Sequence, residues 1–371
     1  MCNQSAILSA HNHDQSADPG DQFAERLLEI LNSGAIALML SLGHRTGLFD
    51  TMAELPPSTS GAIAGAAGLN ERYVREWLGA MVAAAIVDID PEHGIYSLPT
   101  QHAAFMTRAA SPDNLALYAQ YVPLLGQVED DILDCFRNGG GVPYERYSRF
   151  HEVMEEDSGQ TVVAALHEHI LPLVPGMQAR LEAGIDVLDV GCGSGRALVS
   201  MAQAFPNSRF TGYDLSPVAI ERARANAEVV GLENVLFEAK DLTGLDGSET
   251  YDLITAFDAI HDQKRPASVL RAIASALRQD GWFLMQDIAG SSHHHQDREH
   301  PIGAFLYTIS CMHCMSVSLA QGGDGLGAMW GRERALELLG SAGFGSVQIH
   351  RLDHDIQNFF YVARGAEGRL N

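Results

Sequence analysis

Apolar runs alternate with helical periodicity along the second half of the chain. The predicted strands cover residues 185–190, 209–213, 235–239, 251–257, 282–288, 346–352 and 358–363. Helical segments separate the first five strands, and this alternation predicts an α/β fold with a parallel, doubly wound sheet. Only DHDIQ separates the last two strands, so we expect a β-hairpin to close the sheet.

The first half of the chain has helical periodicity and contains one compact motif. A helix is predicted over about 22–49, followed by a short helix, a Gly-Leu turn and an amphipathic helix over about 71–85. Two extended runs, Ile86–Ile89 and Ile95–Leu98, then flank a turn. A helix–turn–helix followed by a small hairpin is the layout of a winged helix.

Helical periodicity continues through the middle of the chain, over residues 112–136 and 144–183. The sequence NGGGVP at 138–143 interrupts it and predicts a linker or hinge. Aromatic residues in the segment 141–157 could close over a bound ligand.

A glycine loop follows the first predicted strand. Gly191, Gly193 and Gly195 come directly after the apolar run Val187–Val190, as in a nucleotide-binding turn. The spacing departs from the dinucleotide fingerprint, because Arg196 stands where the third glycine of that motif belongs. The loop therefore permits close approach of a ligand to the backbone without the usual pyrophosphate pattern.

Two carboxylates restrict what this loop can bind. Asp189 precedes the loop, where a carboxylate would repel a phosphate but suits a ligand with positive charge. Asp214 ends the second strand, where an acid accepts hydrogen bonds from ribose hydroxyls. A ribose, no phosphate, and an ammonium or sulfonium group together describe S-adenosylmethionine.

Four motifs of the α/β half occur in order: VLDVGCGSGRA, GYDLS, AKDL and AFDAIHDQ. They resemble the motifs of class I S-adenosylmethionine-dependent methyltransferases over about residues 180–365. The resemblance implies a seven-stranded, Rossmann-like sheet whose last strand is antiparallel. It also implies cofactor contacts from Asp189, Gly191, Gly193, Asp214, Leu215, Asp241, Leu242, Phe257 and Asp258.

A winged helix ahead of such a domain resembles the small-molecule O-methyltransferases of plants and bacteria, where this region mediates dimerisation. It also resembles bacterial proteins labelled methyltransferase or transcriptional regulator. Between His44 and Thr100 there are three arginines and seven acidic residues, whereas a DNA reader needs several basic contacts. We therefore expect a homodimer that binds no nucleic acid. A winged-helix regulator that senses S-adenosylmethionine is the alternative from another class.

These patterns divide the chain into four predicted parts. Residues 1–21 are polar and are expected to form a disordered tail. Residues 22–110 form a winged-helix or dimerisation domain, and residues 111–180 form a helical linker that covers cofactor and substrate. Residues 181–371 form the cofactor-binding domain, with a helical insertion at about 291–330.

His261, just past the fourth strand of the α/β half, is the candidate catalytic base. The carboxyl ends of parallel strands form the ligand face, and an imidazole can accept a proton near neutral pH. In plant-type O-methyltransferases a His-Asp pair at this point supplies the base. This chain has His261 and Asp262 there but lacks the tryptophan that follows them in that family. The alternative is that His261 caps the helix or lines the adenine pocket.

The apolar segment HPIGAFLYTISCMHCMSVSL, residues 300–319, lies between the fifth and sixth strands and is expected to form one wall of the acceptor pocket. The predicted substrate-binding residues are Tyr147, Phe305, Tyr307, Cys311, Met312, His313 and Met315. The cysteines and histidines of this region are soft ligands, but their spacing matches no standard metal site, so we predict no metal.

Charge and cysteine content bear on partners and compartment. The 371-residue chain has a formal net charge of −23, which disfavours nucleic acid and anionic membranes. Five cysteines and a polar N-terminus predict a cytoplasmic protein with reduced thiols. The apolar stretch Ile302–Leu319 contains polar residues and lacks basic flanks, so we expect a buried helix there.

The predicted reaction is transfer of a methyl group from S-adenosylmethionine to a small-molecule acceptor. A hydroxyl on an apolar compound is the leading acceptor, with His261 as base. A small thiol or a metalloid is the alternative, because a thiolate needs little help from a base. A catalytically silent partner subunit is a third possibility.

Overall fold

The computed structural model describes residues 18–244 and 250–365. The chain divides between Pro123 and Leu124 into two units, which are described separately. Residues 1–17 of the predicted tail lie outside the described part of the chain, and α1 begins at Pro19.

The first unit contains a helix–turn–helix and a three-stranded sheet. Its elements are α1 (Pro19–Thr46), α2 (Leu48–Glu54), β1 (Ser58–Thr59), α3 (Ser60–Ala67), α4 (Glu71–Ala83), β2 (Asp88–Asp90), β3 (Ile95–Ser97) and α5 (Thr100–Ala103). The strand order is β1-β3-β2, and both pairs are antiparallel. Phe49 and Trp77 pack in its core, where Trp77 Nε1 donates a hydrogen bond to the Met39 carbonyl oxygen at 2.9 Å. The predicted helices and hairpin are therefore present.

The helical periodicity in the middle of the chain corresponds to shorter helices than predicted. They are α6 (Tyr121–Gly126), α7 (Glu129–Asn138), α8 (Phe150–Ser158) and α9 (Met177–Ala183). Two π-helical turns, Gly159–Val163 and Leu166–Ile170, and a 3₁₀ turn with Pro172 separate α8 from α9. Such turns change the hydrogen-bond register of a helix, and Pro172 lacks the N–H donor that a continuous helix needs, so α8 and α9 are separate helices.

The second unit is built on a seven-stranded sheet flanked by helices. Its strands are β4 (Asp186–Val190), β5 (Arg209–Asp214), β6 (Val235–Ala239), β7 (Tyr251–Phe257), β8 (Leu277–Ile288), β9 (Phe344–His350) and β10 (Asn358–Gly365). The helices between them are α10 (Arg196–Ala204), α11 (Pro217–Val229), α12 (Pro266–Ala276), α13 (Gly303–Ile309), α14 (Met315–Ala320) and α15 (Gly331–Ala342). Two apolar cores cover the two faces of this sheet.

The strand order is β6-β5-β4-β7-β8-β10-β9, and β10 is antiparallel to both its neighbours. The chain proceeds from β4 to β6 on one side and then crosses to β7 on the other side of β4. Ligands of such sheets bind outside the carboxyl ends of the strands near this reversal. The predicted α/β fold, its closing hairpin and the antiparallel last strand are confirmed.

The predicted insertion forms the insertion helix, Gly303–Ala320, in which a π-helical turn (Ser310–Cys314) joins α13 to α14. By length and composition alone, this helix and α1 could each cross a membrane. Of the apolar window in the insertion helix, 44% is buried within the fold, against 17% for α1. The exposed apolar side chains of α1 are Phe23, Leu27, Leu28, Ile30, Leu31, Leu38 and Leu42.

Ion pairs hold the amino ends of β4 and β7. Arg209 binds the Asp186 carboxylate through two hydrogen bonds of 2.7 and 2.8 Å. Arg278 contacts both Asp186 and Asp252, and Arg180 Nη2 lies 3.1 Å from Asp252 Oδ1. Asp186 and Asp252 are therefore each paired with arginines.

Candidate active site

The glycine loop turns sharply at the carboxyl end of β4. Gly191 has φ +72°, and a Cβ on it would lie 2.4 Å from the Ala259 Cβ, so only glycine fits. Gly193 has φ +53°, and its N–H donates a hydrogen bond to Asp214 Oδ2 at 2.9 Å. The loop is thus fixed against the ends of β5 and β7.

A cavity lies directly beside this loop. Four of the predicted cofactor residues line it: Asp189, Gly191, Gly193 and Phe257. Its opposite wall includes His151, Met154, Glu155 and Ser158 of α8, and Arg196 and Arg222 also line it. The segment before the first strand of the sheet therefore lines the cavity; that its aromatic side chains close over a ligand stays a prediction.

Asp189 is buried at the edge of this cavity, where its Oδ1 accepts a hydrogen bond of 2.7 Å from Thr255 Oγ1. Burial raises the pKa of Asp189 to about 7; the Thr255 hydrogen bond opposes this shift and the charge of Asp214 adds to it. A buried carboxylate of this kind favours a cationic partner.

Asp214 and Asp258 repeat this pattern at the ends of β5 and β7. Asp214 accepts hydrogen bonds from the N–H groups of Gly193 and Ser216, at 2.9 and 2.8 Å. Burial raises its pKa, and it also raises the pKa of Asp258 well above the ordinary range, with the charge of Asp287 adding. Asp258 has φ +50°, a strained conformation for a residue with a side chain and one often found at functional sites.

Three residues predicted to contact the adenine are not among those that line this cavity. Leu215 is 57% exposed, and Asp241 is exposed and accepts hydrogen bonds from the backbone and side chain of Thr243. Leu242 is buried in the apolar core with Ile254 and Phe283. Contact of these three with the cofactor stays a prediction.

His261 belongs to a buried group of polar side chains that we call the base cluster: His261, Asp262, Asp287 and Cys314. His261 is 3% exposed, and its Nδ1 lies 2.8 Å from Asp287 Oδ1, which also accepts a hydrogen bond from Trp330 Nε1 at 2.8 Å. The Nε2 atom lies 3.3 Å from Asp262 Oδ1. Burial alone lowers the pKa of His261, but the charges of Asp287 and Asp262 raise it well above the ordinary value.

Cys314 joins the cluster from the insertion helix. Donor atoms of His261, Asp262 and Cys314 lie within 4.8 Å of one another. Zinc sites use these atom types, so among the described residues this group could hold a metal ion. Burial raises the pKa of the Cys314 thiol to about 12, with Asp262 adding.

Aromatic side chains adjoin the cluster, and we call Tyr144, Tyr147, Phe150 and His313 the aromatic cluster. Phe150 and His313 stack with ring centroids 3.6 Å apart, while both tyrosines contact the His313 ring edge to face. A Cβ on Gly141 would lie 1.9 Å from the Ser316 carbonyl oxygen, so glycine in NGGGVP lets this segment pack on the insertion helix.

Of the predicted substrate residues, the structure brings Tyr147, Met312 and His313 together. Tyr147 Oη donates to the Met312 carbonyl oxygen and its ring contacts His313. Tyr307 instead donates to Asp297 Oδ2 at 2.7 Å, in the loop after β8. Phe305, Cys311 and Met315 are half-buried along the same helix.

Sequence reasoning missed one residue at this site that carried a recognisable signal and three that did not. Asp287 could have been proposed, because it follows an apolar run at the carboxyl end of a strand, the position that singled out Asp214. Cys314, His151 and Arg196 carry no comparable signal. Their roles depend on segments that are far apart in the chain and meet only in the fold.

Family models match both units of the chain. Residues 34–108 match an Rv2258c-like winged HTH domain, and residues 181–328 match a methyltransferase domain. The second unit carries a methyltransferase domain. The predictions of a winged helix and of a methyltransferase domain are therefore confirmed at the level of the domains.

Relatives agree with this assignment over parts of the chain. The (S)-tetrahydroprotoberberine N-methyltransferase of Eschscholzia californica is 25% identical over 38% of this chain and 41% of its own length. Matches to curated relatives span about a fifth to a half of each relative.

Two solved structures share the fold of the methyltransferase domain and of the winged helix. Human N-acetylserotonin methyltransferase in complex with S-adenosylmethionine has a TM-score of 0.66 at 18% identity, covering 95% of this chain and 99% of its own. PigF with S-adenosylhomocysteine has a TM-score of 0.66 at 19% identity, covering 94% and 100%.

Proposed function

We propose that this protein transfers a methyl group from S-adenosylmethionine to a hydroxyl of a small-molecule acceptor, with His261 as the catalytic base. The observation that carries the proposal is the buried pair of His261 and Asp287, which lies at the carboxyl ends of β7 and β8, on the same edge of the sheet as the glycine loop after β4. The reaction is an in-line displacement, so the protein must align the acceptor with the methyl group and remove its proton.

The cofactor is held by the cavity beside the glycine loop. Asp189 faces the positively charged methionine part, and Asp214 accepts the ribose hydroxyls at the end of β5. Asp189, Asp214 and Asp258 form no ion pair with arginine or lysine within residues 18–244 and 250–365. A sulfonium or ammonium group therefore relieves an unfavourable concentration of buried negative charge.

Asp287 orients the base. When His261 is neutral, Asp287 holds the proton on Nδ1 and leaves the lone pair on Nε2, which faces Asp262 and Cys314. Burial lowers the pKa of His261, whereas the charges of Asp287 and Asp262 raise it, so the basicity of the imidazole depends on the charges around it. The charge of bound S-adenosylmethionine opposes those carboxylates and lowers this pKa, which frees Nε2 to accept a proton.

A small thiol is the second candidate acceptor. A thiolate is already a strong nucleophile, so its methylation would depend on alignment and not on His261. The two acceptor classes therefore differ in how they respond to loss of the base.

We further propose that the protein is a cytoplasmic homodimer that assembles through α1. Seven large apolar side chains of this helix are exposed over residues 23–42, more than an isolated surface helix normally carries. Free thiols at the four described cysteines fit a reducing compartment. Replacing Leu27 and Leu31 together by Glu should convert a dimer to a monomer in sedimentation velocity, and a monomeric wild type would contradict the proposal.

The regulator alternative is not favoured by the winged helix itself. Both arginines of α4, Arg72 and Arg75, pair with glutamates on the same helix. They are therefore poorly placed to supply the phosphate contacts that a DNA-binding helix needs.

The test is release of S-adenosylhomocysteine with phenols, catechols, aliphatic alcohols and small thiols as acceptors. Wild type, His261→Ala and the control His295→Ala, which removes an exposed histidine, are compared. Loss of a base should lower kcat for a hydroxyl acceptor by roughly 10²–10⁴-fold while the Kd of the cofactor changes little. His295→Ala should behave as wild type.

Each other outcome has a distinct meaning. Turnover of a thiol that survives His261→Ala would assign S-methylation. Equal loss of turnover and cofactor affinity would give His261 a structural role and end the proposal of a base. Tight cofactor binding without turnover of any acceptor would favour the regulator.

A further inference from the structure

His313 is a buried polar side chain whose two ring nitrogens lack hydrogen-bond partners among the described residues. It is fully buried, yet neither Nδ1 nor Nε2 has a hydrogen-bond partner among residues 18–244 and 250–365. Buried polar atoms are nearly always paired, and an unpaired one costs folding free energy. A side chain that keeps two such atoms calls for a partner that arrives from outside the chain.

The fold places this imidazole beside the base cluster. His313 lies on the π-helical turn Ser310–Cys314, an irregularity that often accompanies functional sites in helices. The next residue, Cys314, belongs to the base cluster. Phe150 stacks on one face of the imidazole, so the ring is held in one plane and its nitrogen atoms keep a fixed direction.

Burial among aromatic rings disfavours the charged form of this imidazole. Burial lowers the pKa of His313 to about 3, and the charges of His261 and His151 lower it further. A neutral imidazole offers one N–H donor and one lone-pair acceptor. It provides no charge to compensate a buried anion, and the carboxylates around the site disfavour one as well.

We propose that His313 binds a second, uncharged polar group of the methyl acceptor. This inference rests on the proposed function and specifies its substrate class: a flat, apolar compound with one hydroxyl that reaches His261 and a neutral hydroxyl or carbonyl group that reaches His313. The rings of Tyr144 and Tyr147 contact the His313 ring edge to face, so they must turn away to admit the compound, and they then supply apolar surface against which it packs. His313 is then a specificity-determining residue, and the base cluster performs the proton transfer.

The test compares phenols that differ only in a second substituent. Catechol, its meta and para isomers and 2-hydroxyacetophenone carry a second polar group, whereas the cresols replace it by methyl. Binding of each to the protein saturated with S-adenosylhomocysteine is measured by calorimetry, so no turnover is needed. His313→Phe keeps a stacked ring without polar atoms, and His313→Gln keeps one donor and one acceptor.

The wild type should prefer the best two-group phenol over the matching cresol by about 10–100-fold, because the polar group completes a hydrogen bond that the methyl group leaves unmade. His313→Phe should abolish the preference, and His313→Gln should retain part of it. His313→Phe should also raise Tm, since two unpaired buried atoms are removed. Affinity for S-adenosylhomocysteine should stay unchanged in both variants.

Equal preference in wild type and His313→Phe would overturn the inference. If His313→Phe does not fold, the wild type labelled with ¹⁵N on histidine decides: the preferred phenol must shift the His313 ring signals, and unchanged signals would also overturn it. Binding that depends on His313 without turnover of any phenol would leave this subsite standing and remove the base role. Turnover of a phenol that is unaffected by replacement of His313 would leave the base role of His261 standing and remove this subsite.

Discussion

The two ends of the same parallel strands carry aspartates in opposite electrostatic settings. At the amino ends of β4 and β7, Asp186 and Asp252 are bound by arginines within 3.1 Å. At the carboxyl ends, Asp189 is buried and Asp258 is partly buried, and their pKa values are raised because removal from water penalises the charged form. The carboxylates at the amino ends are paired with arginines of this chain, whereas those at the carboxyl ends would attract a cationic ligand.

This difference separates stability from function within one sheet. Arginine pairs satisfy the carboxylates at the amino ends, so those residues stabilise the fold without any ligand. Carboxylates at the other end accept hydrogen bonds from neutral side chains, Thr255 on Asp189 and Gln286 on Asp258, and a positively charged ligand would add an ion pair. Changing one residue at each end should therefore affect opposite properties.

The largest expected effect is at the ligand end. Burial raises the pKa of Asp189 from 3.8 to about 7, so ionisation progressively destabilises the ligand-free fold as pH rises through this range. Asp189→Asn should increase the free energy of unfolding at pH 8 by up to about 4 kcal/mol, at about 1.4 kcal/mol per pKa unit. Affinity for S-adenosylmethionine should fall in the same variant. Urea unfolding and calorimetry measure the two quantities, and a destabilised variant would contradict the comparison.

A smaller and opposite effect is expected at the amino end. Asp252→Asn leaves Arg180 and Arg278 without one of their carboxylates, so the free energy of unfolding should fall by about 1–3 kcal/mol. The Kd of the cofactor should not change. Asp280→Asn is the matched control, because Asp280 also contacts Arg180 but is mostly exposed and should contribute little. Weakened cofactor binding in Asp252→Asn would show that the two ends are not independent.

The smallest expected effect is on the pH dependence of binding. Asp189 must be ionised to attract the sulfonium, so at pH 6, below its raised pKa, binding also has to remove a proton. The Kd of S-adenosylmethionine should therefore be about tenfold weaker at pH 6 than at pH 8 in the wild type. S-adenosylhomocysteine, which has no sulfonium charge, should show less dependence, and Asp189→Asn none. A flat profile in the wild type would place Asp189 outside the cofactor site.

Local patterns in the sequence were sufficient for most of the methyltransferase domain. Strand bounds such as 235–239 and 251–257 match the structure because parallel strands are short and are separated by clear helical periods. The glycine loop and His261 could be placed because both follow strands whose carboxyl ends must meet. The long helices predicted for the middle segment are divided in the structure, since helical periodicity does not mark the π-helical and 3₁₀ turns between α8 and α9.

Residues whose role depends on distant partners were the hardest to predict. Leu242 stands in a cofactor motif but packs in the core, whereas Asp287 and Cys314 join His261 from segments 26 and 53 residues away. Nothing in the local sequence distinguishes Cys314 from Cys311, although only the first reaches the base cluster among the described residues.

The sequence by itself determined the order of strands and helices, the glycine loop, the acids at the carboxyl ends of β4, β5 and β7, and the presence of a histidine after β7. These features are encoded within a few residues of one another, through periodicity and backbone conformation. Only the tertiary structure decided which aspartates are paired with arginine and which are buried without one. It alone brought His313 into a closed aromatic cluster, because burial and partner choice depend on how distant segments pack.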